Sequence, residues 1–345
     1  MFEIIVTICL VGDPDICRSQ LIPGHETHRL DQCESKLTDI NSRSLTINEA
    51  EISVGRAACR EMPDGLSLIE VEPGVFVHLG AIDEPNPSNL GDVSNIGVVI
   101  GESEIAVIDT GGSRKVGEDL YRAIRTISDL HISTVILTHM HPDHVYGASV
   151  FADVGAKIVG HPDLKRALQD RGEAYHAGFS NLMTPAGFLG TALAMPEPAP
   201  STLDLGERVL DLDVWPTAHS PTDLTVFDRT SGILFTGDLV FHEYAPALDG
   251  SLRGWRTALD MMAEKRATYI VPGHGGPVLE PVAGVAPLKQ YLGVLEADTR
   301  SALERGLRIG EAVEEIGKSE AENWELFELF NTRNATVSYT ELEWE

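Results

Sequence analysis

Three histidines and an aspartate (His139, His141, Asp143 and His144) fall within six positions in the stretch THMHPDHVYG, residues 138–147, of a chain with 12 histidines in all. Imidazole nitrogens and a carboxylate at this density suit zinc, iron or manganese. The plain alternative, surface histidines on a loop, does not account for the crowding. Nor does it account for the setting, because the β-prone run TVILT leads directly into the cluster. In α/β sheets ligands gather beyond the carboxyl ends of strands. Pro142 suits the first turn of a helix, which places Asp143 and His144 at that helix's start. On an extended stretch, His139 and His141 point the same way.

The elements that must position this cluster can be read on either side of it. Short β-rich runs are predicted at 75–79, 96–100, 105–109, 134–138 and 157–159. Val116, Leu120 and Ile124 recur every four residues between two of them and predict a helix. Pro162 opens a second short helix, PDLKRAL. Residues 171–201, rich in Gly, Pro and Ala, read as a long loop bordering the substrate cleft, with Tyr175, Phe179, Met183 and Phe188 lining a pocket. RVLDLDVW then alternates apolar and acidic residues, and LTVFDRTSGILFTGD reads as a hairpin turning at 230–232. From about 283 to 318 the pattern is helical, with Leu288, Leu292 and Leu295 on one stripe. Strand–helix alternation thus occurs twice, and predicts an α/β chain folded as an αββα four-layer sandwich of two mixed sheets. The expected division is a small Cys-bearing N-terminal extension (1–62), a catalytic domain (63–282) and a C-terminal helical segment (283–345).

Composition narrows the function classes. The 345 residues are 43% hydrophobic and 23% charged, an ordinary globular balance. A formal net charge of −27 opposes phosphate backbones, so a small-molecule substrate is expected and nucleic acid is not. No apolar run approaches the roughly 20 residues that span a bilayer, so no membrane partner is expected. Residues 2–11 are apolar without a preceding basic residue; they read as a strand rather than a signal peptide, and a cytoplasmic location is expected. All four cysteines, Cys9, Cys17, Cys33 and Cys59, lie near the start in no CxxC zinc pattern. They are either two disulfides, which would imply a periplasmic or other oxidising compartment, or four reduced thiols. In neither case are they expected to ligate the metals.

HMHPDH matches the HxHxDH motif of the metallo-β-lactamase superfamily, and the resemblance extends along the chain. His219 in TAHSPTDLTVF resembles the family's third-ligand loop, Asp238 in LFTGD its strand-end aspartate, and His274 in VPGHGG its last histidine motif. The resemblance implies one metal on His139, His141 and His219, a second on Asp143, His144 and His274, and Asp238 bridging the two. Asp109 in AVIDTGG resembles the family's first motif, which supports a ligand from behind; a turn-former before Gly111 and Gly112 is the alternative. His78, His131, His161, His176 and His242 match no ligand position, although His242 and Tyr244 lie close enough to Asp238 to touch substrate. Two close cations repel, so an anion such as Asp238 is needed between them.

The implied activity is hydrolysis by a hydroxide shared between two metal ions, zinc foremost and iron or manganese next. Asp143 and Asp238 would be the catalytic carboxylates. β-Lactamases of this fold typically carry Cys or Ser where this chain has Asp238; the aspartate is typical of lactonases, thioesterases and phosphodiesterases. Esters, thioesters and lactones are therefore the expected substrates, with β-lactam-like amides an alternative. Retention of His141 separates the chain from the flavodiiron oxidoreductases. A persulfide dioxygenase-like iron enzyme, and a binding role centred on the N-terminal cysteines, are the alternatives outside hydrolysis. PGVFVHLGAIDEPNPSNLGDVSNIGVVIGESEIAVIDTGGS, ALDGSLRGW and MFEIIVTICLVGDPDICRSQLIPG further resemble the bacterial quinoprotein relay system zinc metallohydrolases, associated with quinoproteins or sulfur oxidation.

Overall fold

A computed structural model describes residues 1–42 and 52–344 of the chain. Three strands open it: β1 (Phe2–Leu10), β2 (Asp13–Thr27) and β3 (Ile52–Glu61), paired antiparallel in the order β2-β1-β3. Helix α1 (Leu30–Ser42) packs on this sheet through Cys33 and Ile4. The four cysteines form two disulfides, Cys9–Cys17 and Cys33–Cys59. Strand register places Cys9 directly opposite Cys17, so that pairing follows from the hairpin.

A seven-stranded sheet follows. It comprises β4 (Ile69–Glu72), β5 (Val75–His78), β6 (Ile96–Ile100), β7 (Glu104–Ile108), β8 (His131–Leu137), β9 (Lys157–Gly160) and β10 (Glu197–Pro198), in the order β10-β9-β8-β7-β6-β5-β4. A five-stranded sheet is formed by β11 (Thr202–Asp204), β12 (Val209–Val214), β13 (Leu224–Asp228), β14 (Ile233–Phe235) and β15 (Tyr269–Val271), in sequence order. Both sheets mix parallel and antiparallel pairs. The hairpin between β13 and β14 turns where the sequence predicts it.

Alternation along the strands builds the layers. In β7, Ala106 and Ile108 face the second sheet and meet Leu212, Val226 and Phe235. Ile105 and Val107 face the opposite way, onto Leu120 and Ile124 of helix α2 (Arg114–Ile127). Both faces are covered, so the strand reads as a continuous apolar run. Two short helices, α3 (Pro142–Val145) and α4 (Ala148–Ala152), follow β8 on the same side. Helices α5 (Leu164–Met183) and α6 (Pro185–Phe188) come next in the chain. In the second sheet Ile233 and Phe235 face inward, while Leu234 faces outward onto helix α7 (Leu252–Met262) through Trp255 and Leu259. The same outer layer holds Leu288, Leu292 and Leu295 of α8 (Pro281–Glu304), the short α9 (Ile309–Ala312), and Ala335 and Tyr339 of α10 (Phe327–Leu342). The result is the αββα sandwich, with the disulfide-bearing sheet at one end of the sequence and helices at the other.

One expectation fails. Residues 171–201 are not a long loop, because α5 runs to Met183 and α6 follows it directly. The short helix PDLKRAL is only the first part of α5. Its apolar period is weak because it buries few residues in the core, chiefly Leu164, Leu168 and Met183, and turns others toward the cleft. Gly172 and Gly178 lower helix propensity further, but tertiary contacts override that.

The N-terminal sheet docks on α2 through buried charge. Glu3 is fully buried and accepts from Arg122 Nε at 2.8 Å, and Arg18 reaches Glu118 at 3.2 Å. Deleting one member of such a pair strands the other, at a cost of about 3–5 kcal/mol.

Candidate metal centre

The site forms where the two sheets' strand ends meet. Strand β8 stops at Leu137, and Thr138–His141 lead out of it before Pro142 starts α3. His219 comes from the β12–β13 connection and is packed against the rings of Phe241 and Trp255. Asp238 sits in a 3₁₀ turn, Gly237–Leu239, just past β14. His274 follows β15, stacked on Phe241 and Tyr244. The glycine before it is required: a Cβ at Gly273 would collide with Asp238 Oδ1.

These seven side chains converge in two groups, His139, His141, His219 and Asp238 in one, Asp143, His144 and His274 in the other. His141 Nδ1 lies 3.0 Å from His139 Nε2 and 2.9 Å from His219 Nε2. Asp238 divides its oxygens between the groups. Its Oδ2 is 3.6 Å from His139 and 3.4 Å from His219, whereas Oδ1 is 3.2 Å from His144 and 3.4 Å from His274. Asp143 Oδ2 is 3.3 Å from His274 and 3.6 Å from His144.

Outer hydrogen bonds fix which ring nitrogen carries the proton. His144 Nδ1 meets Asp109 Oδ2 at 2.9 Å, His141 Nε2 meets Asp249 Oδ2 at 3.1 Å, and His274 Nδ1 meets the Val93 carbonyl at 2.8 Å. Each partner only accepts, so each ring donates outward and turns its other nitrogen inward. Thr138 Oγ1 donates to Asp109 at 2.7 Å and so accepts from His139 Nδ1 at 3.0 Å. Asp109 thus steadies two histidines of different groups. It holds a left-handed backbone, φ 60°, which aspartate tolerates better than most residues. Asp109 therefore stands behind the histidines rather than merely forming a turn.

The inward atoms fit cations. His144 Nε2 and Asp238 Oδ1, 3.2 Å apart, are buried with no other side-chain or backbone hydrogen-bond partner. Leaving such atoms unpaired costs about 1–3 kcal/mol each. His139 Nε2 and His141 Nδ1 face each other at 3.0 Å, each turned inward by the bond its other nitrogen makes. Zinc–nitrogen bonds of about 2.0–2.1 Å in a tetrahedral site hold ligand nitrogens some 3.3 Å apart, close to the spacing found. Burial, with the neighbouring His144, keeps His139 well below its ordinary pKa. Burial likewise brings His219 down to about 3. Burial pushes Asp143 up, but the charges of His144 and His274 outweigh it and hold the carboxyl at about 2. Asp143, His139 and His219 are therefore in ligand form near neutral pH. At His144 and His274 burial pulls the pKa down, but the charge of Asp238 and its neighbours outweighs it and raises both, His274 to about 9, so that a cation there would displace a proton.

A pocket of about 430 Å³ opens over this floor. Asp143, Asp238 and His274 line its base; Tyr175 and Phe179 of α5, Tyr244, and Phe330 of α10 supply aromatic walls. Segment 171–201 thus borders the cleft, but as a helix. Met183 and Phe188 lie behind it, packed on Tyr146, and His242 is not among the lining residues. Three residues carried no spacing signal in the sequence: Asp249, Arg171 and Arg333. Asp249 holds His141 and is itself bonded to both arginines. His78, His131, His161, His176 and His242 join neither group among the described residues.

Among solved structures, a metallo-beta-lactamase from Pontibacter korlensis matches with a TM-score of 0.54 at 19% identity, covering 66% of this chain and 99% of that one. A metallo-beta-lactamase family protein from Thermus thermophilus matches with a TM-score of 0.57 at 23% identity, covering 79% and 93%. The stereoselective inverting sec-alkylsulfatase Pisa1 from a Pseudomonas species matches with a TM-score of 0.59 at 18% identity, covering 80% of this chain and 50% of that one. At such identities these likenesses speak to fold alone. The family model of the Metallo-beta-lactamase superfamily matches residues 90–274, over half the chain and every histidine and aspartate of the two groups. The chain belongs to the metallo-beta-lactamase superfamily, as a metal-dependent hydrolase.

Proposed function

We propose that the protein is a two-zinc hydrolase of a small-molecule ester, thioester or lactone. The division of Asp238 between the groups carries this reading, because one carboxylate facing two three-residue sets is what a bridged pair of cations requires. His139, His141 and His219 would hold one ion and Asp143, His144 and His274 the other. Bound there, the ions supply Lewis acidity, acidifying a water and polarising the substrate's oxygen.

The chain's own residues do the rest. Asp143 lines the pocket floor and offers a carboxylate that can orient a water and receive its proton. Asp238 keeps the two groups in register. The aromatic walls exclude bulk water and favour an apolar substrate body. An aspartate at 238, rather than cysteine or serine, supports lactone, ester or thioester substrates over β-lactams. The resemblance of the N-terminal stretches and of ALDGSLRGW to the quinoprotein relay metallohydrolases supports a role beside such a system. The paired cysteines support an oxidising compartment over a cytoplasmic one. Among the described residues no helix is long and apolar enough to cross a membrane.

Elemental analysis of protein purified without added metal, with an ester, thioester and lactone panel, tests the reading. Two zinc ions per chain and turnover on the panel are expected. A single iron per chain with no hydrolysis would instead indicate an iron oxidoreductase.

A further inference from the structure

Two arginines stand at the rim of the pocket, on elements far apart in sequence. Arg171 comes from α5 and Arg333 from α10, and both line the cleft. Their side chains are 43% and 54% exposed, while Asp238 and His274 on the floor are 4% and 3% exposed. The floor is thus deep and the guanidinium pair shallow.

Both arginines lean on Asp249. Arg171 Nη1 bonds Asp249 Oδ2 and also reaches the Tyr175 hydroxyl at 3.4 Å; Arg333 Nη2 bonds Asp249 Oδ1. One carboxylate therefore balances two guanidiniums, leaving this trio with a net positive charge. Each guanidinium has five N–H donors in a planar fork, of which these contacts engage only one or two. The surplus is conspicuous in a chain of net charge −27. Among the described residues, Glu84 is the one lining acid besides Asp143 and Asp238, and it comes from a different segment, the connection between β5 and β6.

We propose that the substrate carries a carboxylate at the end remote from the scissile bond, seated by Arg171 and Arg333 while its apolar body lies between Tyr175, Phe179 and Phe330. The inference rests on the hydrolase reading for the word substrate, but not for the binding itself. Planar guanidiniums match a carboxylate's two oxygens better than a point charge would. Asp249 pre-positions both forks before the ligand arrives, which lowers the ordering cost of binding.

The test is calorimetric titration of the zinc-loaded protein with 4-phenylbutyrate and its neutral counterpart 4-phenylbutyramide. Wild type, Arg171→Gln, Arg333→Gln, the double variant and Arg333→Lys are compared, with zinc measured on each sample. Wild type should prefer the carboxylate by about tenfold, as a partly exposed charge-assisted contact allows. Each Gln variant should lower that preference about threefold, the double variant should abolish it, and Arg333→Lys should keep part of it. Zinc should stay at the wild-type level throughout. Equal affinity of wild type for the two probes, or no binding of either, overturns the proposal. So does a preference that survives in the double variant, since the metals would then be taking the carboxylate. Loss of zinc in the Gln variants also overturns it, by reducing the arginines to props for Asp249 and His141. A carboxylate preference that tracks the arginines in a protein inert toward the ester, thioester and lactone panel would refute the hydrolase reading alone.

Discussion

Asp238 turns Oδ1 toward His144 at 3.2 Å and Oδ2 toward His219 at 3.4 Å, so a single carboxylate is shared between the two sets of imidazoles. Replacing it by alanine removes the anion between two like charges. Asp238→Ala is expected to lower bound zinc from two per chain toward one and to cut turnover more than about a hundredfold. Metal analysis beside steady-state kinetics checks this; two tightly held ions with near-native turnover would exclude a bridging role.

Asp109 acts from behind. It receives His144 directly and His139 through Thr138, so its loss loosens one histidine of each group. Asp109→Ala is expected to weaken zinc about 10–100-fold while the fold persists. Competition against a chromophoric chelator, with circular dichroism as the folding control, would reveal it. Unchanged affinity would make Asp109 a turn residue only.

His78 donates through Nε2 to Asp92 at 2.7 Å, with Ser67's carbonyl on the other ring nitrogen. Burial pulls the imidazole's pKa down, yet Asp92's bond and charge outweigh this and raise it. The folded protein therefore binds the proton more tightly than the unfolded chain. The pair's stabilisation is complete below about pH 6.5 and fades as pH climbs through the raised folded value. Asp92→Asn should lower stability by about 1–2 kcal/mol at pH 6 and by less at pH 8.5. Thermal melts of both proteins across that range decide it; a gap that widens with pH would contradict the assignment.

The disulfides lie in the N-terminal sheet and its helix α1, and contribute to neither metal group. Replacing Cys9, Cys17, Cys33 and Cys59 by serine should leave zinc content unchanged and cost about 2–4 kcal/mol per bridge. Zinc measurement and denaturant titration separate the effects. A fall in bound zinc would show that the N-terminal sheet holds the catalytic core in shape.

The metal groups are legible in the sequence because each ligand candidate sits in a short, distinctive setting. His139, His141, Asp143 and His144 are nearly contiguous, Pro142 marks their helix, and a glycine precedes both Asp238 and His274. The sandwich is legible through strands such as EIAVI, whose two faces are both apolar. What escapes depends on distant partners. Helix α5 reads as a loop because Tyr175 and Phe179 line a cavity and pack only on a small cluster around Tyr146, which blurs its period. Asp249 touches His141 across 108 positions, and no local pattern announces such a contact. The cysteine pairing stays open because four cysteines allow three connectivities, and only the strand register selects one.

The pocket's outer wall is supplied by α10, the last helix, although every metal-binding candidate precedes residue 275. During synthesis the last metal-binding candidate, His274, therefore emerges some sixty residues before Phe330 and Arg333 of the outer wall. The pocket's wall is thus assembled from both sides of that candidate in the sequence, Tyr175 and Phe179 before it and Phe330 and Arg333 after it.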